Sequence, residues 1–264
     1  MRKQFPHYVF GYGSLICPQS RAITAPTLAN RAAIPVVVQN VERTWAKRSR
    51  RGMTVMGVRF RKGAECVGVL LPVTETELAQ FDKREVGYDR YELHPDDVEP
   101  VPFLQDDYYK DTFLENEEFK KPSKIWIYVQ QDLTPAGRNH PIAQSYVDII
   151  LRGCLSISEE FAHEFIATTK GWHPKELNTD RVRDYSTNEE SACDDDDDDD
   201  DAESNGDELP WVDDRSDPLY VRADPEYSLA EAKKLDRLLT QHLPDITSRR
   251  RRRQRLKTPY VTNQ

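Results

Sequence analysis

Residues 9–15 read Val9-Phe10-Gly11-Tyr12-Gly13-Ser14-Leu15, a short apolar run that breaks into a glycine-serine turn. With Tyr8 the run predicts a buried strand. The turn after it is expected to place a glycine at φ > 0 and let the backbone approach a ligand. Consecutive N–H groups in such a turn form an anion-binding nest. Read alone, the same tetrapeptide also fits an ordinary strand-ending turn with a satisfied serine. Further along, Ile34 to Val41 carries Val36, Val37 and Val38 in a row and predicts a strand buried on both faces. Met53 to Phe60 alternates as a half-buried strand does, and Cys66 to Val73 is a further β-rich run closed by Pro72 and Thr74.

A helix is predicted from Thr74. Thr74-Glu75-Thr76-Glu77 fits a capping box, in which the Thr74 hydroxyl accepts the N3 backbone N–H and Glu77 reaches back. Leu78 and Phe81 form the inward stripe, and four residues beyond Phe81 comes Glu85. The stretch is Phe81-Asp82-Lys83-Arg84-Glu85-Val86-Gly87-Tyr88. A carboxylate on the apolar side of a helix end is expected to be desolvated, with a raised pKa suited to moving protons near neutral pH. The alternatives are a solvated helix terminus, or pairing of Glu85 with Arg84 or Arg90. Tyr88 to Leu93 resumes strand character.

The remainder is a chain of shorter signals. Residues 103–124 are polar and acidic and predict a loop or hairpin insertion. Ile125 to Gln130 is strand-like. Pro141 is expected to open a helix with Ile142, Tyr146, Ile149 and Ile150 on its stripe and Gly153 as its stop. Ser156 and Glu159 suggest another capping box, before Phe161, Phe165 and Ile166. Trp211 with Leu219, Tyr220 and Val221 looks like an extended segment returning to the body. Ser228 and Glu231 are expected to cap a last amphipathic helix carrying Leu235, Leu238, Leu239 and Leu243, and an exposed basic tail is expected from Arg249 to Arg253. The predicted organisation is a domain over 1–183 with the 103–124 insertion, a disordered acidic insert over 184–208, an extension over 209–247 whose helix packs on the body, and a basic tail over 248–264.

The chain has 264 residues, a net charge of −9 and 31% charged residues. Its mean hydropathy is −0.76. The charge is concentrated. Residues 188–217 hold sixteen acids, eight of them the run Asp194 to Asp201, and one base, Arg215, whereas residues 249–257 hold seven bases. Setting aside −15 and +7 leaves −1 for everything else. The aspartate block repels itself and carries too little apolar surface to offset ordering entropy. No apolar run approaches the length of a membrane span, and no secretory signal is readable at the N-terminus. The four cysteines, Cys17, Cys66, Cys154 and Cys193, are widely spaced and read as reduced thiols. A cytoplasmic location is expected. The basic tail 249–257 is a candidate nuclear-localisation patch, and the nearly neutral body argues against a nucleic-acid-binding domain.

Several familiar motifs fail. The Gly11–Ile16 stretch lacks the third glycine of a dinucleotide fingerprint and the spacing of a nucleophile elbow. His163-Glu164 is not followed by a second histidine at metalloprotease spacing, and the six histidines form no ligand cluster, so no metal is expected. The turn and Glu85 together are more informative. A Tyr-Gly-Ser-Leu turn near the N-terminus, then strands, then a helix ending in Asp82-Lys83-Arg84-Glu85-Val86-Gly87-Tyr88 resembles the γ-glutamylcyclotransferase-like superfamily, in the form closest to its ChaC-like branch. Ile142 to Asp148 and Gly153 are similar to that superfamily's late helix. The resemblance spans roughly residues 7–170.

The resemblance implies an α+β fold with a small curved or closed, barrel-like mixed sheet and flanking helices. It implies that Tyr12, Gly13, Ser14 and Leu15 bind the amino-acid end of a γ-glutamyl group, that Glu85 is the catalytic acid/base, and that Tyr88 or Tyr91 lies by the pocket. It implies formation of 5-oxoproline from a small-molecule γ-glutamyl substrate without a cofactor. The alternative is a noncatalytic γ-glutamyl-binding or interaction protein on the same scaffold. Two further groups have double readings. Arg43, Lys47, Arg48, Arg50 and Arg51 form either a solvated loop or a site for a substrate carboxylate. Cys17 is either an idle buried thiol or a neighbour of the pocket.

Overall fold

In the computed structural model, which describes residues 6–104, 124–130, 133–173 and 211–253, strand β1 (His7–Gly11) carries the turn. Its apolar run is buried because it has a strand on each side. It pairs antiparallel with β3 (Met53–Val73) and parallel with β6 (Lys124–Val129). β3 is also the long partner of β2 (Ile34–Ser49), forming a hairpin that dominates the sheet. The two expected strands 53–60 and 66–73 are therefore one. It passes residues 61–64 opposite a bulge at Asn40, which takes φ 61 and accepts the Gly63 N–H at 3.0 Å through its side chain. Charged, exposed residues at that bulge carry no apolar period, which is why the sequence shows a gap there.

The loop expected at Arg43–Lys47 is also strand. β2 continues to Ser49, with a second bulge between Trp45 and Lys47. Arg43 is wholly buried, and its guanidinium is satisfied by carbonyls and hydroxyls. It donates to Val67 O at 2.6 Å, Phe165 O at 2.8 Å and Thr169 Oγ1 at 2.8 Å, and lies on the Phe165 ring. It is a core cation, and the reading of residue 43 as solvated loop or substrate contact is corrected.

Helix α1 (Pro18–Thr24) follows the turn, and α2 (Glu75–Arg84) starts with the expected capping box. Glu77 N donates to Thr74 Oγ1, and Thr74 N donates to Glu77 at 2.8 Å. The Glu77 carboxylate also takes a two-pronged contact from Arg31. β4 (Asp89–Leu93) then pairs antiparallel with β6, and β5 (Val98–Pro100) with β2. The mixed sheet runs β4-β6-β1-β3 and continues into β7 (Ile142–Ala143), β8 (Trp211–Asp213) and β9 (Arg250–Arg252), all three parallel to their neighbours. Among the described residues β4 and β9 are each paired on one side only, so the sheet is open. The expectation of a mixed sheet with flanking helices holds, and that of a closed barrel is corrected.

Helix α3 (Gln144–Leu155) begins three residues later than expected, because Ile142 and Ala143 are used as a strand. It also continues through Gly153, whose role is contact and not termination. A Cβ there would lie 2.5 Å from Cys17 N, so the glycine lets the helix sit on the segment that follows the turn. Cys17 is buried at that contact, outside the pocket. α4 (Glu159–Thr168) is capped by Ser158, which accepts the Phe161 N–H, and not by Ser156. At the C-terminal end α5 (Pro225–Ala230) is capped by Asp224, with Ser228 inside the helix. α6 (Ala232–His242) carries the expected leucine stripe, and α7 (Ile246–Arg249) leads into β9.

The expected exposed tail is corrected at its start. Arg249 is buried and donates to Trp172 O at 2.5 Å, and Arg250 forms a two-pronged pair with Asp236 at 2.7 Å. The described acids at the end of the acidic stretch, Asp213 and Asp214, also belong to the fold. Buried Asp214 accepts from Ser145 N, Ser145 Oγ and Leu219 N, which fastens the start of α3. Burial of such charges is tolerable only because each has partners. The predicted insert over 184–208, most of the 103–124 insertion and the tail beyond residue 253 lie outside the described residues. No described helix is long and apolar enough to cross a membrane.

Candidate functional site

The end of β1, the end of α2 and α3 meet around a small recess. Its lining is Phe10, Tyr12, Gly13, Ser14, Leu15, Met56, Glu85, Tyr88, Tyr128 and Tyr146. The turn and the glutamate, about 70 residues apart in sequence, thus face one hollow. The turn itself is one 3-10 turn, Ser14–Ile16, closed by Ile16 N donating to Gly13 O at 2.9 Å. N–H groups ahead of that first internal bond have no partner within the turn, as at any helix start.

Neither glycine of the turn has positive φ, so that expectation is corrected. Close approach is what requires them. A Cβ on Gly11 would meet Leu15 Cβ at 2.8 Å, and one on Gly13 would meet Tyr146 Oη at 3.2 Å. Gly87 does have φ +78, and there the left-handed conformation turns the chain from α2 into β4.

Glu85 is the residue that ends α2, and its N–H still donates to Phe81 O at 2.9 Å. Its side chain is only 16% exposed, so it does not stand in bulk water. Arg84 Nε lies 3.0 Å from Glu85 Oε1, which selects Arg84, of the two arginines considered, as its partner. Arg90 instead holds Asp82 through two contacts at 2.8 and 2.9 Å.

Three phenols surround the carboxylate. Tyr12 donates to Tyr128 O at 2.6 Å, and Tyr88 donates to Met56 O at 2.8 Å. Burial pushes the Tyr12, Tyr88 and Tyr146 hydroxyls up, and the Glu85 charge pushes each of them further. They remain neutral donors through the physiological range. Lys47 reaches across from β2. Its Nζ donates to Val86 O at 3.1 Å and Gly87 O at 3.2 Å, and lies over the Tyr88 ring. Burial lowers the Lys47 pKa to about 8, against the opposing pull of Glu85.

Of the residues expected from sequence, Glu85, Tyr12, Gly13, Ser14, Leu15 and Tyr88 are brought together. Tyr91 is not. It sits on exposed β4 with its ring edge-on to Phe60. Tyr146 was visible only as a stripe residue of a helix, and nothing in its spacing marks it as lining a pocket. Tyr220, which packs edge-on against Tyr146 with ring centres 4.7 Å apart, comes from the C-terminal extension, where the sequence shows only a segment returning to the body and nothing that ties it to the recess.

The recess has a volume of about 40 Å³. At ~10–15 Å³ per water position it holds about three waters. It shares Ser14, Glu85, Tyr88 and Tyr146 with an outer cavity of about 500 Å³, which supplies room for the rest of a ligand. No group of three His, Cys, Asp or Glu side chains among the described residues is placed to hold a metal ion.

No family model matches the sequence, and a search of curated proteins gives no match. Solved structures do show similarity. An uncharacterized human protein is 17% identical with a TM-score of 0.44, over 61% of this chain and 87% of that one. A structure named γ-glutamyl cyclotransferase is 15% identical with a TM-score of 0.45, over the same 61% and 87%. A yeast γ-glutamyl cyclotransferase named as specific to glutathione is 14% identical with a TM-score of 0.33, over 61% and 83%. Structures named γ-glutamyl cyclotransferases are thus among those to which this chain is similar.

Proposed function

We propose that the protein is a γ-glutamylcyclotransferase that releases an amine from a γ-glutamyl compound and forms 5-oxoproline. The observation that carries this reading is the placement of the Glu85 carboxylate and the Gly13–Leu15 turn on one recess. In the reaction the substrate's α-amine attacks its own γ-carbonyl carbon. A new C–N bond closes the five-membered lactam, and the old γ-amide C–N bond breaks. Ionised Glu85 takes a proton from the attacking nitrogen and returns one to the departing nitrogen. One carboxylate serves both steps because nucleophile and leaving group meet at the same carbon.

The N–H groups of the turn are suited to hold the α-carboxylate or the developing oxyanion. The phenols of Tyr12, Tyr88 and Tyr146 narrow the recess around the head of the substrate. Holding the γ-glutamyl chain curled rather than extended supplies much of the acceleration, since proximity effects reach ~7–11 kcal/mol in the best intramolecular models.

The test is a panel of γ-glutamyl amino acids, glutathione and γ-glutamyl-lysine, with 5-oxoproline as the readout. Release of 5-oxoproline from any of them supports catalysis. Binding without product would favour a noncatalytic γ-glutamyl-binding protein.

A further inference from the structure

The outer cavity is a cationic basin. Lys47, Arg48, Arg50 and Arg51 enter it from the β2–β3 hairpin, and Arg222 enters from the segment between β8 and α5. Among the described residues Glu85 is the one carboxylate in its lining, and Arg84 already pairs with it. Arg48, Arg50, Arg51 and Arg222 have no acidic partner among the described residues. Elsewhere in the fold arginines are matched: Arg31 with Glu77, Arg215 with Asp148, Arg250 with Asp236. Arg222 is the sharpest case, because its Nε is buried without a hydrogen-bond partner. A buried donor without an acceptor is costly, and an acceptor on a ligand relieves the cost.

A single carboxylate cannot match four guanidinium groups that have no acidic partner among the described residues around one cavity. We infer that the departing amine of the substrate belongs to a polyanion, carrying two or more carboxylates as in γ-glutamyl-glutamate. This rests on the γ-glutamyl reading above and names its substrate class. The head of the substrate occupies the recess, and the acidic remainder extends into the basin toward Arg222 and the hairpin tip. The bonds made and broken are those of the lactam-forming step, and the polyanion leaves as its free amine. Arg222 lies in the C-terminal extension, so that extension completes the specificity side of the site.

The experiment compares γ-glutamyl-glutamate, γ-glutamyl-alanine and γ-glutamyl-methylamide on the full chain. The kcat/KM for 5-oxoproline release is expected to fall at least ~10-fold from the first to the second and again to the third, with a steep loss of the preference in high salt. Arg222→Gln, and separately the exposed pair Arg50→Gln with Arg51→Gln, should shrink the preference for the acidic substrate by at least ~10-fold. Equal kcat/KM across the three substrates, or a preference that neither variant changes, overturns the inference.

A second arm separates this failure from that of the cyclisation itself. N-glutaryl-glutamate and N-glutaryl-methylamide lack the attacking amine and are titrated calorimetrically. If no substrate yields 5-oxoproline but glutaryl-glutamate binds ~10-fold more tightly and Arg222→Gln removes the difference, the basin stands and the reaction falls. Equal affinity for the two ligands overturns the basin.

Discussion

Arg84 Nη2 donates to Ser14 Oγ at 3.0 Å while Nε of the same guanidinium lies 3.0 Å from Glu85 Oε1. Nη1 donates to Thr24 Oγ1 at 2.6 Å. One planar group therefore ties the turn, the helix after it and the carboxylate into a fixed triangle, a task for which a lysine's point charge is a poor substitute. Arg84→Lys is expected to lower turnover by about 10²-fold, the scale of a 1 Å misplacement. The check is steady-state 5-oxoproline release together with a thermal melt, which separates misplacement from loss of fold.

Glu85→Gln keeps the size of the side chain and removes its ability to take and return a proton. Turnover should fall by at least ~10²-fold with KM nearly unchanged. A variant that cyclises at the wild-type rate would remove Glu85 from the chemistry.

Gly153→Ala should destabilise the protein although alanine is the better helix former. The gain in propensity is about 1 kcal/mol. Against it stands overpacking of ~1–3 kcal/mol, because the added carbon would lie 2.5 and 2.7 Å from backbone atoms of Cys17. The strain falls on the segment just past Ser14, so a lower Tm should be accompanied by weaker binding of glutaryl ligands.

Arg215→Ala should be among the costliest single changes. Arg215 holds wholly buried Asp148 through contacts of 2.7 and 3.0 Å and reaches Asp236 at 2.8 Å. Removing it strands a buried carboxylate, with an expected loss of ~3–5 kcal/mol in denaturant unfolding. Asp148→Asn combined with Arg215→Met should recover much of that loss.

His163 and His242 join α4 to α6 through ring nitrogens 2.8 Å apart. Burial, and then the neighbouring imidazole, hold His242 below its ordinary value of 6.5. Glu159, 4.0 Å from His163, and Glu160, whose carboxylate His163 also influences, are acidic groups near the pair. Because the folded state binds its proton less readily than the unfolded state, the contribution of His242 to stability is complete above pH 6.5 and is lost as pH falls through the lower folded value. Thermal melts from about pH 8 to about pH 5 should show a falling Tm that His242→Gln flattens. An unchanged slope in that variant would assign the acid sensitivity elsewhere.

Several local signals were legible where short-range physics decides the outcome, although Ser156 and Ser228 are not the caps that their spacing suggests. The Thr74–Glu77 capping box, the apolar run of β1 and the leucine stripe of α6 each depend on neighbours within a few residues, and each was legible. Signals failed where a charge is matched by something remote. Arg43, Arg249 and Arg250 read as loop or tail because charged residues are usually solvated, yet each finds acceptors more than ten residues away or an acid on another turn. The glycines of the turn were legible as glycines, but their reason was not: Gly13 makes room for Tyr146, 133 positions later.

By itself the sequence determined the strand-turn opening and the helix that ends at Glu85, since apolar period and capping chemistry are properties of short segments, whereas the pairing of these two motifs was only what the family resemblance implied. Only the tertiary structure decided that Arg84 bridges them, that Tyr88 and not Tyr91 lines the recess, that the sheet stays open, and that Arg222 faces the same cavity as the β2–β3 hairpin. Those outcomes depend on distances between segments far apart in the chain, and a one-dimensional pattern holds no record of such distances.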